Sequence, residues 1–134
     1  MASEETELLQ RVPIFAGLDP RELETVVRTV HERTFAPGET VAQENHGGVG
    51  FFIIRDGEAK VTVGGNEVRR LHSGDHFGEI ALITEGLRTA TVTAESELKC
   101  YGLTPWEFRP LVQTNASIAW KILQALAKQV DERH

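Results

Sequence analysis

His76-Phe77-Gly78-Glu79-Ile80-Ala81-Leu82-Ile83-Thr84-Glu85-Gly86-Leu87-Arg88-Thr89-Ala90-Thr91-Val92 joins two strand-like stretches through a glycine, an acid, a short apolar run and an arginine. A glycine followed by residues able to form one helical turn presents backbone N–H groups that lack internal partners, and such groups suit an anion. Arg88 adds a planar fork of donors that matches two phosphate oxygens at once. Glu79 would repel a phosphate, but an ionised carboxylate accepts a hydrogen bond from a sugar hydroxyl. The ligand these residues suit is a small molecule with a phosphate at one end and a free ribose hydroxyl close by.

On the C-terminal flank, Ala90, Val92 and Ala94 alternate with Thr91 and Thr93, the pattern of a strand with one wet face. From Thr34 onward, glycine-bearing turn signals recur at Pro37-Gly38, Asn45 to Gly48, Asp56-Gly57, Gly64-Gly65-Asn66 and Ser73-Gly74-Asp75. Between them lie candidate strands at Phe51 to Arg55, Glu58 to Val63, Glu67 to Leu71, Ala90 to Ala94 and Leu98 to Leu103. Short strands at even spacing indicate an antiparallel β-barrel or jelly roll. The quoted stretch interrupts that series with a helical turn, a plausible place for a ligand.

The ends of the chain read as helices, which makes the fold class mainly β with flanking helices. The first residues are acidic and become helical where Leu8 and Leu9 appear. Asp19-Pro20-Arg21-Glu22 carries an N-cap, a first-turn proline and a capping-box acid, with Leu18 and Leu23 placed as a hydrophobic staple. Leu23, Val26, Val27 and Val30 keep one-face helical spacing, which predicts a helix reaching to near Arg33. Thr104-Pro105-Trp106-Glu107 repeats the helix-start pattern, and Pro110 predicts that this helix is short or bent. Asn115 is positioned to cap a last helix running to about Arg133. That helix has two apolar seams: Ile118, Ile122 and Leu126 on one side, Trp120, Leu123, Ala127 and Val130 on the other. One seam can lie on the barrel, the other on a twin helix in a homodimer or over a bound base.

Composition narrows the function classes. The chain has 134 residues, 40% hydrophobic and 25% charged, in the range of one soluble globular domain. A net charge of −6 with no basic cluster beyond Arg69-Arg70 argues against direct contact with nucleic acid. One cysteine, Cys100, allows no internal disulfide, the acidic start is unlike a signal peptide, and no apolar run reaches membrane-spanning length. A cytoplasmic setting without membrane contact is expected. His72, His76 and Glu79 raise a cupin-like metal site, but Ser73-Gly74-Asp75 reads as a turn and the His-x-His spacing is missing, so no metal is expected. No paired-acid or Ser/His/Asp arrangement indicates an enzyme.

The run Phe-Gly-Glu-Ile-Ala-Leu, a five-residue spacer and Arg-Thr-Ala resembles the phosphate-binding cassette of the cyclic nucleotide-binding domain, found in protein kinase A regulatory subunits, cyclic-nucleotide-gated channels and the catabolite activator protein. The match fills the cassette without gap or insertion, and the resemblance covers nearly the whole chain. It implies an N-terminal helical segment over 1–33, a β-barrel over 34–103 with the cassette at 77–90 and a short cassette helix, and two C-terminal lid or dimer helices over 104–134. It implies that Glu79 holds the ribose 2′-hydroxyl and Arg88 the cyclic phosphate, with Gly78, Ile80 and the backbone N–H groups of Ala81 and Thr89 assisting. Val61 and Val68 match positions that line the base in relatives, and Lys128, Gln129 or Arg133 could reach a base edge. The implied ligand is cAMP or cGMP, with cAMP favoured, and the implied role is a non-catalytic sensor acting through its C-terminal helices on a downstream protein. The alternative is a structural or dimerisation module of the same fold that binds no nucleotide.

Overall fold

Phe51 to Ile54 are four consecutive apolar residues, and all four are buried, as expected of a strand covered on both faces. In the computed structural model, which describes residues 3–45, 50–84 and 88–132 and only the backbone of Ile80, they begin the third of eight strands. These are β1 (His31–Phe35), β2 (Thr40–Ala42), β3 (Phe51–Asp56), β4 (Ala59–Val63), β5 (Asn66–Leu71), β6 (His76–Phe77), β7 (Thr91–Ala94) and β8 (Leu98–Leu103). All pair antiparallel, in two four-stranded sheets of order β1-β8-β3-β6 and β2-β7-β4-β5. The jelly-roll expectation holds. The sheets do not close into a barrel, so that half of the expectation is corrected.

Phe35, Phe52, Ile54, Ala59, Val61, Leu71, Phe77, Val92, Ala94, Leu98 and Cys100 form the core of the β unit. Alternation works as the sequence indicated in β7, where Val92 and Ala94 are buried and Thr91 and Thr93 are half-buried. Between Val63 and Asn66, which pair, the chain turns in two residues, Gly64 (φ +59) and Gly65 (φ +83). Two positive φ values in succession match the right-handed strand twist and are available to glycine at little cost.

Backbone contacts divide the chain into two compact units, His31–Pro105 and a helical unit made of Met1–Val30 with Trp106–His134. The helical unit contains α1 (Glu4–Gln10), a 3-10 turn at Pro13–Phe15, α2 (Pro20–Val27), α3 (Pro105–Thr114, whose first residue belongs to the β unit) and α4 (Ala116–Glu132). The capping box at Asp19 is present as read: the Asp19 carboxylate accepts from the Glu22 N–H and the Glu22 carboxylate from the Asp19 N–H, each at 2.9 Å. Two helix boundaries differ from expectation. α2 stops at Val27, and His31 to Arg33 are strand rather than helix. β1 exposes every residue but Phe35, so it carries no apolar alternation, and its pairing with β8 is what defines it. Asn115 stands just before α4, its carbonyl accepting from the Ala119 N–H at 3.1 Å, while its side-chain amide donates back to the Leu111 carbonyl at 2.7 Å. α3 accommodates Pro110 and continues for four more residues to Thr114.

Of the two seams on α4, Ile118 and Ile122 are buried and α4 contacts the 3-10 turn of the N-terminal segment. The other seam is open, with Trp120, Leu123 and Val130 more than half exposed. Among the described residues no helix is long and apolar enough to cross a membrane, and no group of three metal-ligating side chains occurs.

Candidate functional site

β6 is two residues long and is held against β3 by the pairs Phe52–Phe77 and Ile53–His76. The chain leaves this strand through Gly78 at φ +86 and enters a 3-10 turn at Glu79–Leu82, the short cassette helix expected from sequence. Gly78 is required twice over. Its φ lies in the left-handed region, and a Cβ there would stand 2.5 Å from the Gly50 carbonyl oxygen and 2.6 Å from Arg88 Nη1. Absence of that Cβ is what lets the Arg88 guanidinium lie against the backbone.

Arg88 is half-buried and donates from Nη2 to the Gly50 carbonyl. Its Nε–H is buried without a hydrogen-bond partner among the described residues, and loss of hydration pushes its pKa below the ordinary arginine value. A buried guanidinium donor left unpaired costs stability unless an acceptor arrives. Its main chain is pinned, because the Asn45 N–H donates to the Arg88 carbonyl at 2.8 Å.

Glu79 is half-buried, and its Oε2 lies 3.4 Å from His76 Nδ1. That imidazole beside it, aided by the charge of Arg69, holds the carboxyl below the usual carboxylate range against the opposing effect of burial. Glu79 is therefore an ionised acceptor at neutral pH.

Both side chains border one cavity of about 310 Å³, a size within the range of small-molecule sites. Gly78, Glu79, Ala81, Arg88, Thr89 and Val61, all singled out from sequence, line it together. The arrangement offers a cation with an unsatisfied donor at one place, an anionic acceptor at another, and an apolar wall from Ala42, Val61 and Val92. An anion, a hydroxyl and a flat ring are the complementary groups, so a cyclic nucleotide fits the donor set. The Ala81 N–H donates to the Gly78 carbonyl at 3.0 Å, so its use by a phosphate requires that turn bond to open.

Val68 does not line the cavity and is 60% exposed. Val61 pairs with Arg69 while Thr62 pairs with Glu67, so Val68 is the extra residue of a β-bulge. The bulge shifts the register by one residue and brings Arg69 to the cavity side, a place that no pattern within β5 assigns to it. Phe77, Thr84 and Ala90 are further lining residues that sequence reasoning did not single out, although all three lie within the quoted stretch. Lys128 and Gln129 border a groove in the helical unit with Pro13, Ala16 and Gly17. The Ile80 side chain and Arg133 lie outside the described residues.

Comparison with known proteins is consistent with this geometry. Residues 32–115 match the family described as "Cyclic nucleotide-binding domain". A cGMP-dependent protein kinase of Toxoplasma gondii is 34% identical over 75% of this chain and 10% of its own length. A cAMP-dependent protein kinase regulatory subunit of Blastocladiella emersonii is 33% identical over 92% of this chain and 32% of its own. The chain thus spans a third or less of these curated relatives. Among solved structures, the N-terminal domain of a transcriptional regulator from Streptomyces coelicolor A3(2) superimposes with a TM-score of 0.89 at 26% identity, covering 95% of this chain and 94% of that one.

Proposed function

Because this chain belongs to the cyclic nucleotide-binding domain family, we propose that it is a non-catalytic sensor that binds a cyclic purine nucleotide. The observation that carries this reading is the buried, unpartnered Nε–H of Arg88 in the same cavity as the ionised Glu79. The cyclic phosphate satisfies Arg88, the ribose 2′-hydroxyl donates to Glu79, and the base lies along Val61, Ala42 and Val92.

Arg69 favours cGMP over cAMP. Guanine presents two adjacent acceptors, N7 and O6, that a guanidinium can meet with two parallel hydrogen bonds, whereas adenine presents a donor in place of one of them. The two relatives named above differ in the nucleotide their names carry. Thr89 at the rim offers a hydroxyl to either the phosphate or the base edge.

The output is a change in how α3 and α4 pack, which requires that the nucleotide bind one arrangement more tightly than the other. The exposed seam of Trp120, Leu123 and Val130 serves a twin α4 in a homodimer. Calorimetric titration with cAMP and cGMP tests the reading: saturable binding of either supports it, and no heat with both overturns it. Arg69→Ala is expected to reduce cGMP binding more than cAMP binding; an equal loss overturns the guanine preference.

A further inference from the structure

His76 brings a titratable ring against the acid that the proposed ligand needs. Its main chain is fixed opposite Ile53 of β3, and its ring lies 5.9 Å from the Phe51 ring, so it has little freedom to turn away. Its Nδ1 is buried and has no hydrogen-bond partner among the described residues, although Glu79 Oε2 is only 3.4 Å off. The contact is close but not aligned as a hydrogen bond. An Nδ1 that carries its proton, in the neutral Nδ1–H tautomer or in the imidazolium, can donate there, and the imidazolium adds a positive charge beside the carboxylate.

Of the other charges around the ring, that of Arg69 also acts on Glu79. From β3 the ring meets Phe51 and Ile53, which do not titrate. Asp75, its chain neighbour, accepts from the His72 N–H at 2.7 Å. Arg69 and Arg70 border the same hollow from β5, and Arg70 is tied to Glu67 at 3.1 Å and Glu95 at 3.3 Å.

We propose that His76 is a positioning residue for the ribose-binding carboxylate: its Nδ1–H holds Glu79 Oε2 and presents Oε1 to the ribose hydroxyl, and the charged ring holds it more firmly than the neutral one, so that cyclic nucleotide affinity rises as pH falls. The proposal rests on the cyclic nucleotide reading given above. The imidazolium charge also attracts the cyclic phosphate, so both effects have the same sign. The cyclic phosphodiester keeps its single negative charge throughout, and Glu79, held below the usual carboxylate range, stays ionised.

The test is calorimetry with cGMP and cAMP near pH ~6 and ~8 on the intact chain, with His76→Phe, His76→Asn and, as a control, His72→Gln. The parent is expected to bind about fivefold tighter at the lower pH, the size of a single modest charge contact. His76→Phe keeps the ring packing, binds more weakly and loses the pH slope. His76→Asn, whose amide places a permanent donor near Nδ1, binds more tightly than His76→Phe and without a slope. His72→Gln retains the slope. In ligand-free protein, the Glu79 carboxyl carbon followed by NMR is expected to titrate at higher pH in His76→Phe than in the parent. A parent that binds with no pH slope, a His76→Phe variant that keeps it, or an unmoved Glu79 titration overturns the role of His76 while leaving the nucleotide reading intact. Failure of the parent to bind either nucleotide at both pH values overturns that reading, and this proposal with it.

Discussion

Glu22 and Glu79 are both half-buried or nearly so, both lie at the start of a helical turn, and both are held below the ordinary carboxylate range, but for different reasons. Glu22 accepts from Lys121 Nζ at 2.6 Å, from the Ser117 hydroxyl at 2.6 Å and from the Asp19 N–H at 2.9 Å, and its carboxyl is pulled down to about 2. Every one of those partners belongs to the helical unit, and together they join α2 to α4. Glu79 has one histidine at 3.4 Å, and Arg88, on the wall of the same cavity, keeps a buried donor unused. A saturated acid is structural; an acid left with acceptor capacity beside an unsatisfied cation is prepared for something that is not part of the chain.

The largest expected effect breaks this contrast at its open end. Arg88→Ala removes a charge-assisted contact to a desolvated phosphate, with an expected loss of cyclic nucleotide binding on the order of 2–5 kcal/mol. Because the same substitution removes a buried unpaired donor as well as the Nη2 bond to the Gly50 carbonyl, the stability of the free protein should fall by much less than the affinity. A drop in stability as large as the drop in affinity would mean that Arg88 is as structural as Glu22. Gly78→Ala comes next. With φ at +86 and backbone oxygen 2.5 Å from the new Cβ, the cassette must shift, at a cost of roughly 2 kcal/mol in stability and at least about tenfold in affinity. Chemical denaturation and the same titration measure both.

The two kinds of feature differ in how far they are encoded locally in the sequence. Gly78, Glu79 and Arg88 were legible because their chemistry is local: a glycine, an acid and a cation at fixed separations on one continuous loop. The turns of the β unit were legible for the same reason, since Gly64-Gly65 dictates its own hairpin. Arg69 was not, because its place in the cavity depends on the bulge at Val68, and a bulge is set by pairing between strands that no single strand's pattern encodes. β1 was hidden similarly: with only Phe35 buried, it shows no alternation to read. The Glu22 network was half legible. The capping box could be read off four consecutive residues, but Lys121 and Ser117 are 99 and 95 positions away.

That network gives the third test. Glu22→Gln keeps the side chain's shape while removing its charge and should lower stability by about 1 kcal/mol, with cyclic nucleotide affinity unchanged. The pH dependence has a definite sign. A carboxyl at about 2 in the folded protein and near 4.5 when unfolded contributes stability that is fully present above pH 4.5 and is lost as pH falls toward 2. Denaturant melts between those limits should show the parent losing stability faster than Glu22→Gln. Parallel curves would remove Glu22 from the acid response and leave the contrast with Glu79 without its closed end.

The smallest effect on the folded chain is expected where the helical unit is itself incomplete. Leu123 is 56% exposed, beside Trp120 and Val130 on the open seam of α4, while Ile118 and Ile122 on the other side are buried. Leu123→Glu therefore removes little internal packing, and its effect on the stability of a single chain should stay within about 0.5 kcal/mol. On a dimer the effect is of another kind: two acids brought together across a two-fold axis in place of two leucines repel each other and forfeit apolar burial. Sedimentation of the parent and Leu123→Glu over a range of concentrations separates the cases. A parent that sediments as a dimer, with a variant that does not, makes the α4 seam a second open feature, completed by another copy of the chain. Equal size for both proteins would remove the dimer seam and leave the cassette as the place where the chain awaits a partner.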